Sequence, residues 1–268
     1  MKTLRETAIA VTLVLTAGSF SSNVALRGMG QGPEPVSPGA ATTQPAQQVP
    51  AQKDDADQKA RLRTVDNLKA IALAMHTVAA STGETRLPAA AIRKDGKPIL
   101  SWRVALLPYL DQKALYNKFH HDEPWDSPHN RTLLNEMPNI YAPVVRTDEP
   151  RRSTYYQVFT GPGALFEGEL GPRFVDVKDG TSNTLLVAEA ESPVPWTKPE
   201  DIRFDKTKPL PKLGRQFVDG FHVAFADGSV RFLSRKTDPD FLRALITRSG
   251  GEIIAADRLQ AQPRPPAE

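Results

Sequence analysis

The sequence contains no cysteine. This excludes disulfides, cysteine-ligated zinc, thiol catalysis and a lipid anchor on Cys. An exported protein needs no disulfide, so the absence does not argue for the cytosol. The apolar run at the start, Ala8 to Ala17, is far short of the roughly 20 residues a membrane span needs. Aromatic residues make up only 7 % of the chain and form no ladder among the cations. The densest basic places, Arg151-Arg152 and the series Lys206, Lys208, Lys212 and Arg215, are broken by Pro, Leu and Gly. With a net charge of +3, this reads as a solvated surface and not as a nucleic-acid footprint. There is no internal repeat. There is also no Gly-x-Ser-x-Gly elbow to support a hydrolase, and Gly161-Pro-Gly163 lacks the lysine of a phosphate loop.

What is present is ordinary globular composition, 40 % hydrophobic and 24 % charged over 268 residues. A domain of about 200 residues buries roughly 70 % of its unfolded surface, enough for a core without staples. Lys2 and Arg5 precede the Ala8 to Ala17 run, and Gly18, Ser19, Ser21 and Ser22 follow it. That is the plan of a secretory signal. Residues 1–28 are therefore expected to be a signal peptide or an amino-terminal anchor. Residues 29–58, rich in Pro, Gln and Ala, read as a disordered linker, because they cannot bury enough surface to offset chain entropy. Residues 59–256 read as the folded domain and 257–268 as a disordered tail.

Within the domain, Leu62, Val65, Leu68, Ala72, Met75 and Ala79 recur at helical spacing, which predicts an amphipathic helix from Asp57 to Ala80 ending at Thr82-Gly83. Ser101 is placed to cap a short helix from Trp102 to Leu107. Helical spacing continues over Tyr109 to Phe119, and Ser127-Pro128 opens another short helix through Asn135. Strands are expected at Thr154 to Thr160, Arg173 to Val177 and Thr184 to Ala190. Phe221, Val223 and Phe225 alternate with His222, Ala224 and Ala226, a strand with one apolar face. Asp227-Gly228 then predicts a tight type I′ hairpin, with both central residues at φ > 0. Asp238-Pro239 starts a last helix that ends at Gly250-Gly251. The order of a helix, short helices, antiparallel strands and a closing helix predicts a segregated α+β domain.

Several residues offer site chemistry. His120-His121-Asp122-Glu123 mixes imidazoles and carboxylates, although consecutive side chains diverge. Asp126, Ser127, His129 and Asn130 crowd a helix start, where capping is the expected role, and Trp125 is expected to anchor the loop in the core. Asp176, Asp179 and Asn183 provide hard oxygens in a tight loop, the one candidate calcium site, although the spacing is not that of an EF-hand. Asp179, Gly180 and Asn183 equally suit a plain turn.

These segments together resemble the bacterial family catalogued as domain of unknown function 1559. The resemblance rests on Asp66-Asn-Leu-Lys-Ala-Ile-Ala-Leu-Ala-Met-His76, on Leu100-Ser-Trp-Arg-Val-Ala-Leu-Leu-Pro-Tyr-Leu110 and on Asp122-Glu-Pro-Trp-Asp-Ser-Pro-His-Asn130. Phe174-Val-Asp-Val-Lys-Asp-Gly-Thr-Ser-Asn-Thr184 and Val194-Pro-Trp-Thr-Lys-Pro-Glu-Asp-Ile202 follow in the same order. The family phrases mark Trp102, Trp125, Trp196, Asp227 and Gly228 as structural motif residues. Two departures stand out. The Gly-Phe-Thr-Leu-Val-Glu start of prepilin-like relatives is absent, and Phe217 stands where the family places a His ten residues before Asp-Gly. The resemblance implies a pseudopilin-like fold, with an amino-terminal helix packed on an antiparallel sheet outside the cytoplasm. It carries no established reaction. The expected role is a non-enzymatic, exported structural or binding domain, periplasmic, cell-surface or secreted. Its partner would be a protein or polysaccharide, with a possible membrane tether and no nucleic acid. The alternatives are an extracytoplasmic binding protein that needs a divalent ion, with calcium as its only candidate cofactor, and an uncharacterised hydrolase.

Overall fold

Helix α1 runs from Val49 to Ser81 in the computed structural model, which describes residues 49–83, 85–145, 152–252 and 254. The expected signal or anchor, most of the linker and the tail lie outside the described residues. So does the first of the chain's two units, Met1–Pro45. Residues 49–58, assigned to the linker from composition, are instead the first turns of α1. Pro50 is tolerated there because first-turn N–H groups have no intrahelical partner, and Ala51, Gln52 and Lys53 are good helix formers. Of the expected stripe, Val65, Leu68, Ala72, Met75 and Ala79 are buried, Ile71 joins them, and Leu62 is half-buried. Gly83, at φ 69°, ends the helix in the left-handed conformation.

A hairpin follows, β1 (Ala91–Lys94) and β2 (Lys97–Ser101). Its turn holds Asp95 at φ 51° and Gly96 at φ 74°, so the two-residue type I′ turn of this chain sits here. α2 (Trp102–Ala105) is capped as expected, Ser101 Oγ accepting from Arg103 N. The helix expected over Tyr109 to Phe119 shrinks to α3 (Lys113–Tyr116), because Asp111 takes a left-handed φ of 57° and breaks the run. The helix expected to start at Ser127 is a 3₁₀ segment, Asn130–Glu136.

The sheet has β3 (Ser153–Gln157), β5 (Leu185–Pro195), β7 (Gly220–Phe225) and β8 (Val230–Ser234) in the order β3-β5-β7-β8, all antiparallel. Two short strands, β4 (Phe159–Thr160) and β6 (Ile202–Arg203), pair in parallel beside it. The strand expected at Arg173 to Val177 is a 3₁₀ turn over Phe174–Asp176. Arg173 reaches forward to both carboxylate oxygens of Asp176, a three-residue spacing that favours a turn over an extended chain. α4 (Pro239–Ile246) closes the fold, with Asp238 accepting from Phe241 N and Pro239 at its first position; it stops at Thr247, short of the Gly pair.

The sheet is buried on both faces, which the alternation in β7 did not anticipate. Phe221, Val223 and Phe225 pack towards α4 with Leu233, Phe241 and Leu245. Ala224 and Ala226 pack towards α1 with Leu68, Ile71 and Met75. Small side chains on that second face let the helix lie close, so it is covered although it is not strongly apolar. The β7–β8 turn is a further correction. Only Gly228 has positive φ, at 87°, and Phe225 and Ser229 close the loop by hydrogen bonding. This is a three-residue loop with a left-handed glycine, not type I′. Asp227 stabilises it by accepting from the N–H and hydroxyl of Ser229.

Candidate functional site

The strand pairs outside the main sheet frame a cleft of about 590 Å³. β1 contributes Ala91 and Arg93, β4 Thr160, and β6 Arg203; the loops add Phe166, Glu169 and the Pro199-Glu200-Asp201 turn. Period two places the side chains. Within β6, Ile202 turns inward and is 7 % exposed, so Arg203 projects to the other side.

Asp201 forms the floor. Its side chain is 3 % exposed and pairs at 2.7 Å with Arg103, which is fully buried. Oδ1 accepts from Arg103 Nη2, from Trp102 Nε1 at 3.1 Å and from Val158 N at 3.0 Å. Arg103 is itself held by Tyr156 O, through Nε and Nη2, and its guanidinium lies 4.5 Å from the Trp102 ring centre. All three bonds fall on Oδ1, leaving Oδ2 without a partner among the described residues while Asp201 lines the cleft. Burial pushes this carboxyl above the ordinary carboxylate range, and the Arg103 charge and the donors pull it back.

The rim carries four charged side chains. Arg93 Nη1 lies 3.4 Å from Glu169 Oε1 and donates to Gly96 O. Glu200 pairs with Lys198. Arg203 is exposed and has no side-chain partner among the described residues. A rim of guanidinium and carboxylate over a floor with a free carboxylate oxygen suits a polar ligand held by directional hydrogen bonds.

The residues singled out from the sequence lie elsewhere. Trp102 and Trp196 are fully buried, and Trp196 Nε1 donates to Leu134 O. Trp125 is half-buried against the core. Ser127 Oγ accepts from Asn130 N, but it is not the cap of the 3₁₀ segment, whose cap position is His129 without a side-chain bond; Asp126 is exposed at the surface. Asn130 is fully buried and ties the loop, accepting from His120 N and donating to His120 O, Glu123 O and Pro124 O. The rings of His120 and His129 stack 3.6 Å apart; His120 Nδ1 donates to Glu123 and His129 Nε2 to Lys118 O.

The candidate calcium loop is committed to protein partners. Asp176 faces Arg173, Asp179 accepts from Gly250 N and Gly251 N, and Asn183 Nδ2 donates to Asp179 O. Gly180 takes the left-handed φ of 94° that its turn requires. Among the described residues no group of three or more His, Asp or Glu could hold a metal ion.

The functional geometry that sequence reasoning missed is the Asp201–Arg103 pair and a second buried pair. His222 and Glu189 are both fully buried, with His222 Nδ1 donating to Glu189 Oε2 at 3.1 Å and His222 N at 2.7 Å. Phe217 and Phe232 flank the imidazole edge-on, so Phe217, in the place of the family's His, packs against the histidine present. Neither His129 nor His222 bonds a hydroxyl among the described residues. A buried Arg directly after a Trp was the sequence signal available, but nothing local indicated that Asp201 would meet it.

No curated protein and no solved structure matches this chain. Among the described residues no helix is long and apolar enough to cross a membrane. Residues 60–153 do match a family model, that described as Protein of unknown function (DUF1559). That span runs from α1 to the start of β3 and contains the α1, Leu100 and Asp122 phrases; over it, the chain is similar to the domain of unknown function 1559 family.

Proposed function

We propose that this chain is a non-enzymatic binding domain exported from the cytoplasm, and that its ligand enters the cleft over Asp201. The observation that carries this reading is the cleft itself: about 590 Å³, within the range of small-ligand sites, lined by apolar surface with charged groups on its rim, and bordered by a buried ion pair. The pair fixes a carboxylate oxygen in place before any ligand arrives, and such preorganisation favours binding. The two histidines that could serve a hydrolase are bonded to a main-chain carbonyl and to Glu189, which suits a structural role for both. The cationic start and short apolar run at Ala8 to Ala17 support export, with the Pro-rich stretch before α1 acting as the tether. The partner is a cell-surface protein or polysaccharide.

The test is retention of cell-envelope saccharides and peptides on the immobilised full-length protein, compared with Ala91→Trp, whose ring would fill the cleft. Ligand held by the wild type should be lost from the variant at unchanged melting temperature and be recovered chemically intact. Equal retention by both, or release of a cleaved product, would contradict the reading.

A further inference from the structure

We infer that the cleft recognises an acidic saccharide, Arg203 taking a sugar carboxylate and Asp201 Oδ2 accepting from a neighbouring sugar hydroxyl. This rests on the binding role proposed above. Arg93 is engaged by Glu169 and by Gly96 O, and Glu200 by Lys198, so these largely neutralise one another. Arg203 remains a planar fork without a side-chain partner among the described residues, standing on the rim. A guanidinium fork matches the two oxygens of a carboxylate.

Asp201 adds the opposite requirement. Its Oδ1 accepts from three donors, and the residue is held by Arg103 and Trp102, so Oδ2 is the oxygen left over on a residue that borders the cleft. A carboxylate oxygen calls for an O–H or N–H donor. An apolar ligand would leave both groups desolvated and unpaired. A polyphosphate would bring several negative charges to a rim that has one uncommitted cation and the carboxylates of Glu169 and Glu200. A sugar acid supplies one carboxylate per unit beside several hydroxyl donors, which meets both requirements.

The experiment is calorimetric titration of the full-length protein with trigalacturonate and with uncharged galactotriose, on the wild type, Arg203→Gln and a surface control, Arg215→Gln. The expected result is that trigalacturonate binds at least about tenfold more tightly than galactotriose, with affinity falling as salt rises. Arg203→Gln should remove that preference at unchanged melting temperature, and Arg215→Gln should keep it. Equal binding of the two sugars, both abolished by Ala91→Trp, would overturn the acidic class while leaving the cleft as a binding site. Trigalacturonate binding that Arg203→Gln leaves intact, or no binding of either sugar, would also overturn the proposal. The retention experiment on envelope ligands would then judge the binding role by itself.

Discussion

Trp102 keeps none of its surface in water, whereas Trp125, singled out beside it from the sequence, is only half-buried and carries the Lys198 ammonium 5.7 Å from its ring centre. Burial therefore separates two residues that look alike in the sequence. Trp102→Ala should cost about 3–5 kcal/mol, the range for a large core aromatic, and would also leave Asp201 short of one donor. Trp125→Ala should cost roughly half as much. Urea denaturation of both variants checks this; equal losses would contradict the placement. Arg61 shows the surface counterpart. It donates to Asp57 and to Asp219, each at 2.7 Å, and its guanidinium lies 4.6 Å from the Phe217 and Phe232 ring centres. Burial pushes the Asp219 carboxyl up, but the Arg61 hydrogen bond and charge outweigh it and hold the carboxyl below its ordinary value of 3.8. A lowered carboxylate stabilises the fold above its unfolded pKa, and that contribution is lost as pH falls through the folded value. The stability gap between wild type and Asp219→Asn should thus be present at pH 6 and close below pH 3.8. Asp219 is largely exposed, so the gap should be no more than about 0.5 kcal/mol. A gap that widens in acid would reverse the assignment.

Among the elements, the loop from His120 to Asn130 depends on one buried side chain. Asn130→Ala would strand the His120 amide and three carbonyls that now bond to it. The expected cost is about 2–3 kcal/mol, with loss of the His120–His129 ring stack; unchanged melting and unchanged histidine NMR shifts would contradict that role. What was legible at this scale was periodicity with a clear stop. The α1 stripe, the Ser101 and Asp238 caps and the β7–β8 pairing were all readable, because each is dictated by neighbours a few residues apart. Turn geometry was less so. The same Asp-Gly pair makes a type I′ turn at Asp95-Gly96 and a longer loop at Asp227-Gly228, because strand register, not the dipeptide, sets the loop length. The strand expected at Arg173 became a turn through the Arg173–Asp176 contact, a side-chain preference that hydrophobic pattern does not carry.

For the molecule as a whole, α1 covers one face of the sheet and α4 the other, while the cleft forms to the side, where two hairpin-sized strand pairs meet. None of its chemistry was legible in the sequence. Arg93, Asp201 and Arg203 are brought together by folding across more than a hundred positions, and each taken alone reads as a surface charge. Asp201 is the exception in burial, and what buries it is Arg103, on the far side of the chain from it. The central claim is that this cleft is where the protein meets its ligand. The most direct measurement is a two-dimensional amide NMR titration of the full-length protein with the saccharide it retains. The account predicts shifts confined to Ala91, Arg93, Thr160, Phe166 and the Glu200 to Arg203 turn, saturating together. Shifts centred instead on the His120–Asn130 loop or the Asp179 turn would contradict it.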